Sequence, residues 1–252
     1  MLGKLMFRYQ IVRIHHGLHT LYFRYTPDEH GGWLMDPAPR DPEDFHKIWT
    51  TTGGVSVQER KYLYEFADED KYRKNESTKI HALELPFTGS ANVIYNGSFF
   101  YFNQEKEAIV KFDLSTRDLR CISIPTGRQR QRVGELYVHN LTTTLFLALQ
   151  MIPNQECRRI GRKVGPEFLT KLYPEMKGNI FVDLAIDENG LWAIMAMKEN
   201  NNTLVMKLSA WNLELIWAWN ITLNHNLVAD MFIVCGVLYA VDRTDARDTK
   251  IR

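Results

Sequence analysis

Pairs of short apolar runs that meet across a glycine turn recur along the chain, and this recurrence constrains the fold more than any other feature. Residues 91–95 and 98–102 flank Asn96-Gly97, a dipeptide suited to a two-residue hairpin loop because both central positions take positive φ. Runs at 108–114 and 119–124 follow at similar intervals, so residues 91–124 read as a four-stranded antiparallel meander. The layout returns at 182–186 and 191–196 around Asp187-Glu-Asn-Gly190, then at 203–208 and 213–219 beyond a polar turn. A third restart pairs 231–234 with 237–241 around Cys235-Gly236. Units of about forty residues that repeat one strand-turn grammar predict an all-β fold built from propeller blades.

Composition narrows the function classes. Aromatic residues make up 12% of the chain, and their rings favour the half-buried pleated surface of strands. Thirty-one Lys plus Arg against thirty Asp plus Glu leave a net charge of +1, with no overall field to hold nucleic acid. Basic or polar residues interrupt every apolar run in residues 1–25, so no signal peptide is visible. The apolar stretch 145–149 falls well short of the roughly 20 residues that cross a bilayer, and no transmembrane segment is expected. Two stretches lack the strand grammar. Residues 1–28 form an atypical, basic and aromatic N-terminal segment; the domain is assigned to 29–252, with an insertion at 127–170. That insertion carries Arg128, Arg130 and Arg132, then Cys157-Arg-Arg-Ile-Gly-Arg-Lys163; it reads as solvated, with acidic glycans or lipid head groups as the functional alternative.

No motif announces catalysis: GxSxG, Walker-type, GxGxxG and HExxH sequences are all absent. His15, His16 and His19 lack the further ligands that zinc requires. Asp187 and Glu188 are expected to stabilise the turn before Asn189-Gly190. Asp183 and Asp230 differ, because each adjoins or sits within an apolar run, where an unpaired carboxylate costs several kcal/mol. Hard oxygen donors of this kind suit Ca²⁺. The enzyme alternative is a propeller hydrolase acting on glycans, with acid and base drawn from Asp183, Asp187, Glu188 and Asp230. Asn-x-Ser/Thr acceptors begin at Asn75, Asn96, Asn140, Asn201 and Asn220, more than chance supplies, which points to glycosylation in a secretory pathway; ordinary turn chemistry is the competing explanation.

Asp183-Leu-Ala-Ile-Asp-Glu-Asn-Gly-Leu-Trp192 resembles the most characteristic motif of the olfactomedin domain, and Phe232-Ile-Val-Cys-Gly-Val-Leu-Tyr-Ala-Val241 resembles its second. Val93-Ile-Tyr-Asn-Gly-Ser98 with Ile109-Val-Lys-Phe-Asp-Leu114, and Gly32-Trp-Leu-Met-Asp-Pro37 with Ile48-Trp49, match in the same order, closest to the gliomedin and noelin branches. The resemblance implies a five-bladed β-propeller, non-enzymatic and extracellular or on the cell surface. It would bind extracellular or cell-surface proteins in adhesion, matrix assembly or neuronal signalling. It further implies Ca²⁺ in the central channel, with Asp183 as side-chain ligand, Asp230 where the family places an Asn ligand, and Met231 giving a backbone carbonyl. Phe181 replaces a further acidic residue. The family's remaining ligands belong to a last blade that the chain is expected to lack in part, so weak Ca²⁺ binding is expected, and a truncated product without stable function is a further alternative. Cys235 matches one half of the family disulfide, whose partner should precede Gly31; no cysteine stands there, so no disulfide is assigned.

Overall fold

The computed structural model describes residues 32–51, 59–88, 92–106, 108–123, 182–196, 201–242 and 250–251. The segments 1–28 and 127–170, Asn140 and Phe181 lie outside the described residues. Fourteen strands are assigned among those described, in four antiparallel sheets whose strands neighbour each other in chain order. The first sheet contains β1 (Gly32–Leu34), β2 (Ile48–Thr51), β3 (Tyr62–Phe66) and β4 (Lys79–Ala82), with one short helix, α1 (Glu69–Arg73), before β4. The second contains β5 (Val93–Tyr95), β6 (Ser98–Asn103), β7 (Ala108–Asp113) and β8 (Leu119–Ser123). The third contains β9 (Asp183–Asp187), β10 (Gly190–Ala196), β11 (Asn202–Leu208) and β12 (Leu215–Asn224). The fourth pairs β13 (Asp230–Val234) with β14 (Val237–Val241), and Ile251 forms a single bridge to Val241.

The sheets stack face to face in series, and the sequence of β6 shows why. Ser98-Phe-Phe-Tyr-Phe-Asn103 does not alternate polar with apolar residues, since both of its faces are buried. Phe99 and Tyr101 point to the first sheet and join Leu34, Trp49 and Leu63; Phe100 and Phe102 point the other way and join Leu184, Leu191 and Met206 of the third. β10 divides likewise: Leu191, Ala193 and Met195 face the second sheet, while Trp192 and Ile194 face Met231 and Ile233 of the fourth. Each fully buried aromatic or branched side chain contributes about 1.5–3 kcal/mol, so the cores between sheets, more than the hydrogen bonds within them, hold the stack.

At the hairpin β5–β6, Asn96 (φ 47°) and Gly97 (φ 66°) both occupy the left-handed region, as their sequence requires. Cys235 (φ 52°) and Gly236 (φ 72°) repeat that geometry between β13 and β14. The expectation of no disulfide is corrected: Cys121 on β8 is disulfide-bonded, its partner lying outside the described residues, while Cys235 is an exposed free thiol. The family motif singles out Cys235 alone, whereas Cys121 is buried on β8, in the core between the first two sheets.

Candidate functional site

The first strands of three sheets lie together. β5, β9 and β13 each form an edge of their own sheet, and β9 packs against both of the others. Asp183 is the first residue of β9 and Asp230 the first of β13; both are buried, at 8% and 9% exposure. The Asp230 Oδ1 accepts the backbone N–H of Met231 at 2.8 Å. Two buried carboxylates and strand carbonyls on adjoining strands are the donor type that Ca²⁺ takes, though it wants six to eight oxygens. Among the described residues no group of three or more His, Cys, Asp or Glu side chains converges. The donors match Ca²⁺ in kind but, among the described residues, fall short of it in number.

Asp187, four residues along β9, is used differently. Its Oδ1 accepts the Trp192 indole N–H and the Asn189 backbone N–H, each at 2.8 Å, and its Oδ2 accepts the backbone N–H of Gly236 at 2.8 Å. Burial would raise its pKa, but the hydrogen bonds from Trp192, Gly236 and Asn189 outweigh burial and hold the carboxyl below its usual value. Asp36 performs the same task one stage earlier. Its Oδ1 accepts from Asn96 N at 3.0 Å and Ala38 N at 2.9 Å, and its Oδ2 accepts from Gly97 N at 2.7 Å. In both places a carboxylate of one sheet seizes the hairpin turn that opens the next described sheet. Lys111 on β7 adds a latch: its Nζ donates to the carbonyls of Ala210 and Trp211, at 2.9 and 2.8 Å, in the turn between β11 and β12.

The opposite side of the third sheet ends at β12. Trp192, Lys207 and Trp217 are register neighbours across β10, β11 and β12. Lys207 Nζ lies 5.4 Å from the Trp192 ring centroid, and the Trp219 ring sits 5.9 Å from Trp192 and 6.5 Å from Trp217. The fourth sheet covers the Trp192 end, leaving Trp219 41% and Trp217 59% exposed. Exposed indoles on a rigid strand are strong candidates for contact with a protein partner, since Trp dominates binding hot spots.

The described acceptor asparagines occupy distinct settings. Asn75 is exposed beyond α1, and Asn201 is exposed ahead of β11, but its acceptor Thr203 is fully buried. Asn96 is half-buried in its hairpin with Ser98 buried behind it. Asn220 and Thr222 are both exposed on β12. Sequence reasoning missed Asp36 as a latch, although it lies inside the quoted Gly32–Pro37 motif. It also missed the buried cluster in which Glu65 meets His81 Nε2 at 2.6 Å, Lys47 Nζ at 3.1 Å and Trp49 Nε1 at 3.3 Å. Glu65 and His81 are adjacent to apolar residues on β3 and β4, and that placement was the available signal.

A profile of the olfactomedin-like domain matches residues 10–150 and 164–252. Among curated proteins, myocilin of Rattus norvegicus is 24% identical over 215 residues, covering 84% of this chain and 35% of its own length. Myocilin of Homo sapiens is 24% identical over 225 residues, covering 88% and 36%. The chain thus spans about a third of the length of the curated relatives it matches. Among solved structures, a GH43 β-1,3-galactosidase with galactodeoxynojirimycin gives a TM-score of 0.40 at 13% identity, covering 88% of this chain and 71% of that one. The calcium-binding protein regucalcin of Agrobacterium tumefaciens gives 0.34 at 12% identity, covering 86% and 68%. At these scores neither likeness bears on function.

Proposed function

The chain belongs to the olfactomedin-like domain family, whose five-bladed β-propellers are extracellular binding modules, generally without catalysis, and from that premise we propose that it binds extracellular or cell-surface proteins. The processes proposed are cell adhesion, matrix assembly and neuronal signalling. The observation that carries this reading is the family match on both sides of residues 151–163, which takes in every described sheet. The four sheets are blades, and their stacked faces leave outer surfaces and turns for docking. Placement in the gliomedin and noelin branches rests on the motif resemblance alone, beside curated relatives that are myocilins.

The carboxylates favour binding over hydrolysis. Asp187, one of the four acid-base candidates, is committed to three donors, of which the Gly236 N–H belongs to the next blade. A carboxylate so held has no proton to deliver to a substrate. Asp183 and Asp230, with the Met231 carbonyl, would hold a Ca²⁺ ion, whose charge would neutralise two buried carboxylates between adjoining strands. Glycosylation is proposed at Asn75, Asn96, Asn140, Asn201 and Asn220, in keeping with export to the extracellular space or cell surface.

The test is expression behind an export signal in mammalian cells. Glycosidase treatment should lower the mass of the secreted protein, and the labelled protein should bind intact cells saturably through a protease-sensitive receptor. The double variant Trp217→Ser, Trp219→Ser should lose most of that binding. An unchanged mass would reject the extracellular assignment, and turnover on a panel of glycosides would reject the non-catalytic one.

A further inference from the structure

β12 differs from the other strands that end a blade. β4 and β8 occupy the corresponding edges of the first two sheets, with four and five residues, and each carries an exposed cation, Lys79 and Arg120. β12 runs for ten residues, Leu-Ile-Trp-Ala-Trp-Asn-Ile-Thr-Leu-Asn, with no charge, no proline and no glycine. Among the described residues nothing pairs with its outer side. A long, uncharged, aromatic edge is a template for pairing with another chain, and stable proteins blunt such edges with charge, proline, brevity or cover. Midway along it stands Asn220-Ile-Thr222, with both acceptor residues exposed.

We propose that an N-linked oligosaccharide on Asn220 guards the β12 edge against self-association, taking the place that Lys79 and Arg120 fill on the other outer strands. This rests on the reading of the chain as a secreted protein. The side-chain geometry suits the modification. Asn202 Nδ2 donates to Asn220 Oδ1 at 2.9 Å, so the bond that fixes the amide uses its oxygen, and Nδ2 is the atom that carries the sugar. In the transfer, Asn220 Nδ2 attacks the anomeric carbon of a lipid-diphosphate oligosaccharide. The C–O bond to the diphosphate breaks, the lipid diphosphate departs with the bonding pair, and Nδ2 gives one proton to base.

The position also determines what remains open. Asn220 is the register partner of Leu204, and Trp219 that of Val205, so the two side chains leave opposite faces of the blade. A strand docking on the outer side of β12 would set its own side chains beside Asn220, in the volume a glycan fills. The glycan therefore blocks edge pairing while the indole face stays accessible.

Site-by-site glycan occupancy of the secreted protein, measured by mass spectrometry, comes first. Occupied Asn220 is expected. Occupancy at Asn75 with none at Asn220 overturns the inference and leaves the secretory reading standing; occupancy at no site rejects both. Size-exclusion chromatography with light scattering then compares the folded protein before and after endoglycosidase trimming, alongside Asn220→Gln, Thr222→Val, Asn75→Gln and Asn220→Lys. Trimming, Asn220→Gln and Thr222→Val should each produce a several-fold rise in associated species, while Asn75→Gln stays monomeric and Asn220→Lys recovers the monomer. Monomeric trimmed protein, or association of Asn220→Lys equal to that of Asn220→Gln, would show that the edge needs no guard.

Discussion

The backbone N–H of Gly236 lies 2.8 Å from Asp187 Oδ2, across 49 residues and between two blades. The same carboxylate holds the indole of Trp192, whose ring packs in the core against the fourth sheet. One side chain thus fixes the turn of the next blade and the largest side chain between the blades. Asp187→Ala would leave both donors without their acceptor, and it should cost about 3 kcal/mol in a urea titration, because hydrogen bonds to a charged partner are worth more than neutral ones. A loss under about 0.5 kcal/mol, the range of an ordinary surface substitution, would show that the latch is incidental.

Gly97 makes a second test. With φ at 66°, an alanine Cβ would be strained, and it would meet Arg40 Nε at 3.2 Å. Arg40 bridges the first two blades through Asp113 at 2.6 Å and Ser98 Oγ at 3.2 Å. Gly97→Ala should lower stability by about 1–2 kcal/mol, the cost of a left-handed residue with a Cβ, and Asn at the same position should be milder. Equal thermal midpoints for wild type and the alanine variant would contradict the turn geometry.

Acid should unfold the protein in two stages. Burial holds the His225 pKa down to about 4, so the unfolded state takes up a proton below pH 6.5 that the folded state resists; stability falls as pH drops from 6.5 to 4. For Glu65, burial pushes the pKa up, but hydrogen bonds from His81 and Lys47 bring it down to about 2. A depressed carboxylate pKa stabilises above the unfolded value of 4.5, and that contribution is lost as pH falls towards 2. Each stage is worth on the order of 2–3 kcal/mol. In chemical denaturation across pH, His225→Gln should flatten the first slope alone, and Glu65→Gln the second. A single slope untouched by either variant would refute the assignment.

How much of this was legible follows from what the sequence encodes locally. The hairpins around Asn96-Gly97 and Cys235-Gly236 were readable because their turns demand positive φ within two residues. β9 to β14 also fell within a few residues of their expected bounds, β12 running further than expected because its exposed end remains extended. The first blade was harder. Its strands are joined by a 3-10 turn at Pro42–His46 and by α1, so no short period links them. Asp36 could not be singled out, since its partners lie about sixty residues away and its motif reads equally well as a simple turn. The polarity of Glu65 and His81 broke the apolar pattern of their strands, and it is explained by their pairing across β3 and β4 together with Lys47 and Trp49, which no local pattern brings to Glu65.

Ca²⁺ should bind weakly. Asp183 and Asp230 are buried carboxylates on adjoining strands, and among the described residues no group of three or more His, Cys, Asp or Glu side chains is placed to hold a metal ion. Calorimetric titration should show little heat at micromolar Ca²⁺, and millimolar Ca²⁺ should raise the thermal midpoint only slightly, an effect abolished in Asp183→Asn. Tight stoichiometric uptake would contradict the donor count.

The central claim is that a carboxylate of one blade latches the opening hairpin of the next. Amide hydrogen exchange at single-residue resolution tests it most directly. The account predicts slow exchange at Gly97 and Gly236 in the wild type, loss of protection at Gly236 and Asn189 but not at Gly97 in Asp187→Ala, and loss at Gly97, Asn96 and Ala38 but not at Gly236 in Asp36→Ala. Unprotected turn amides in the wild type, or protection that survives both substitutions, would contradict it.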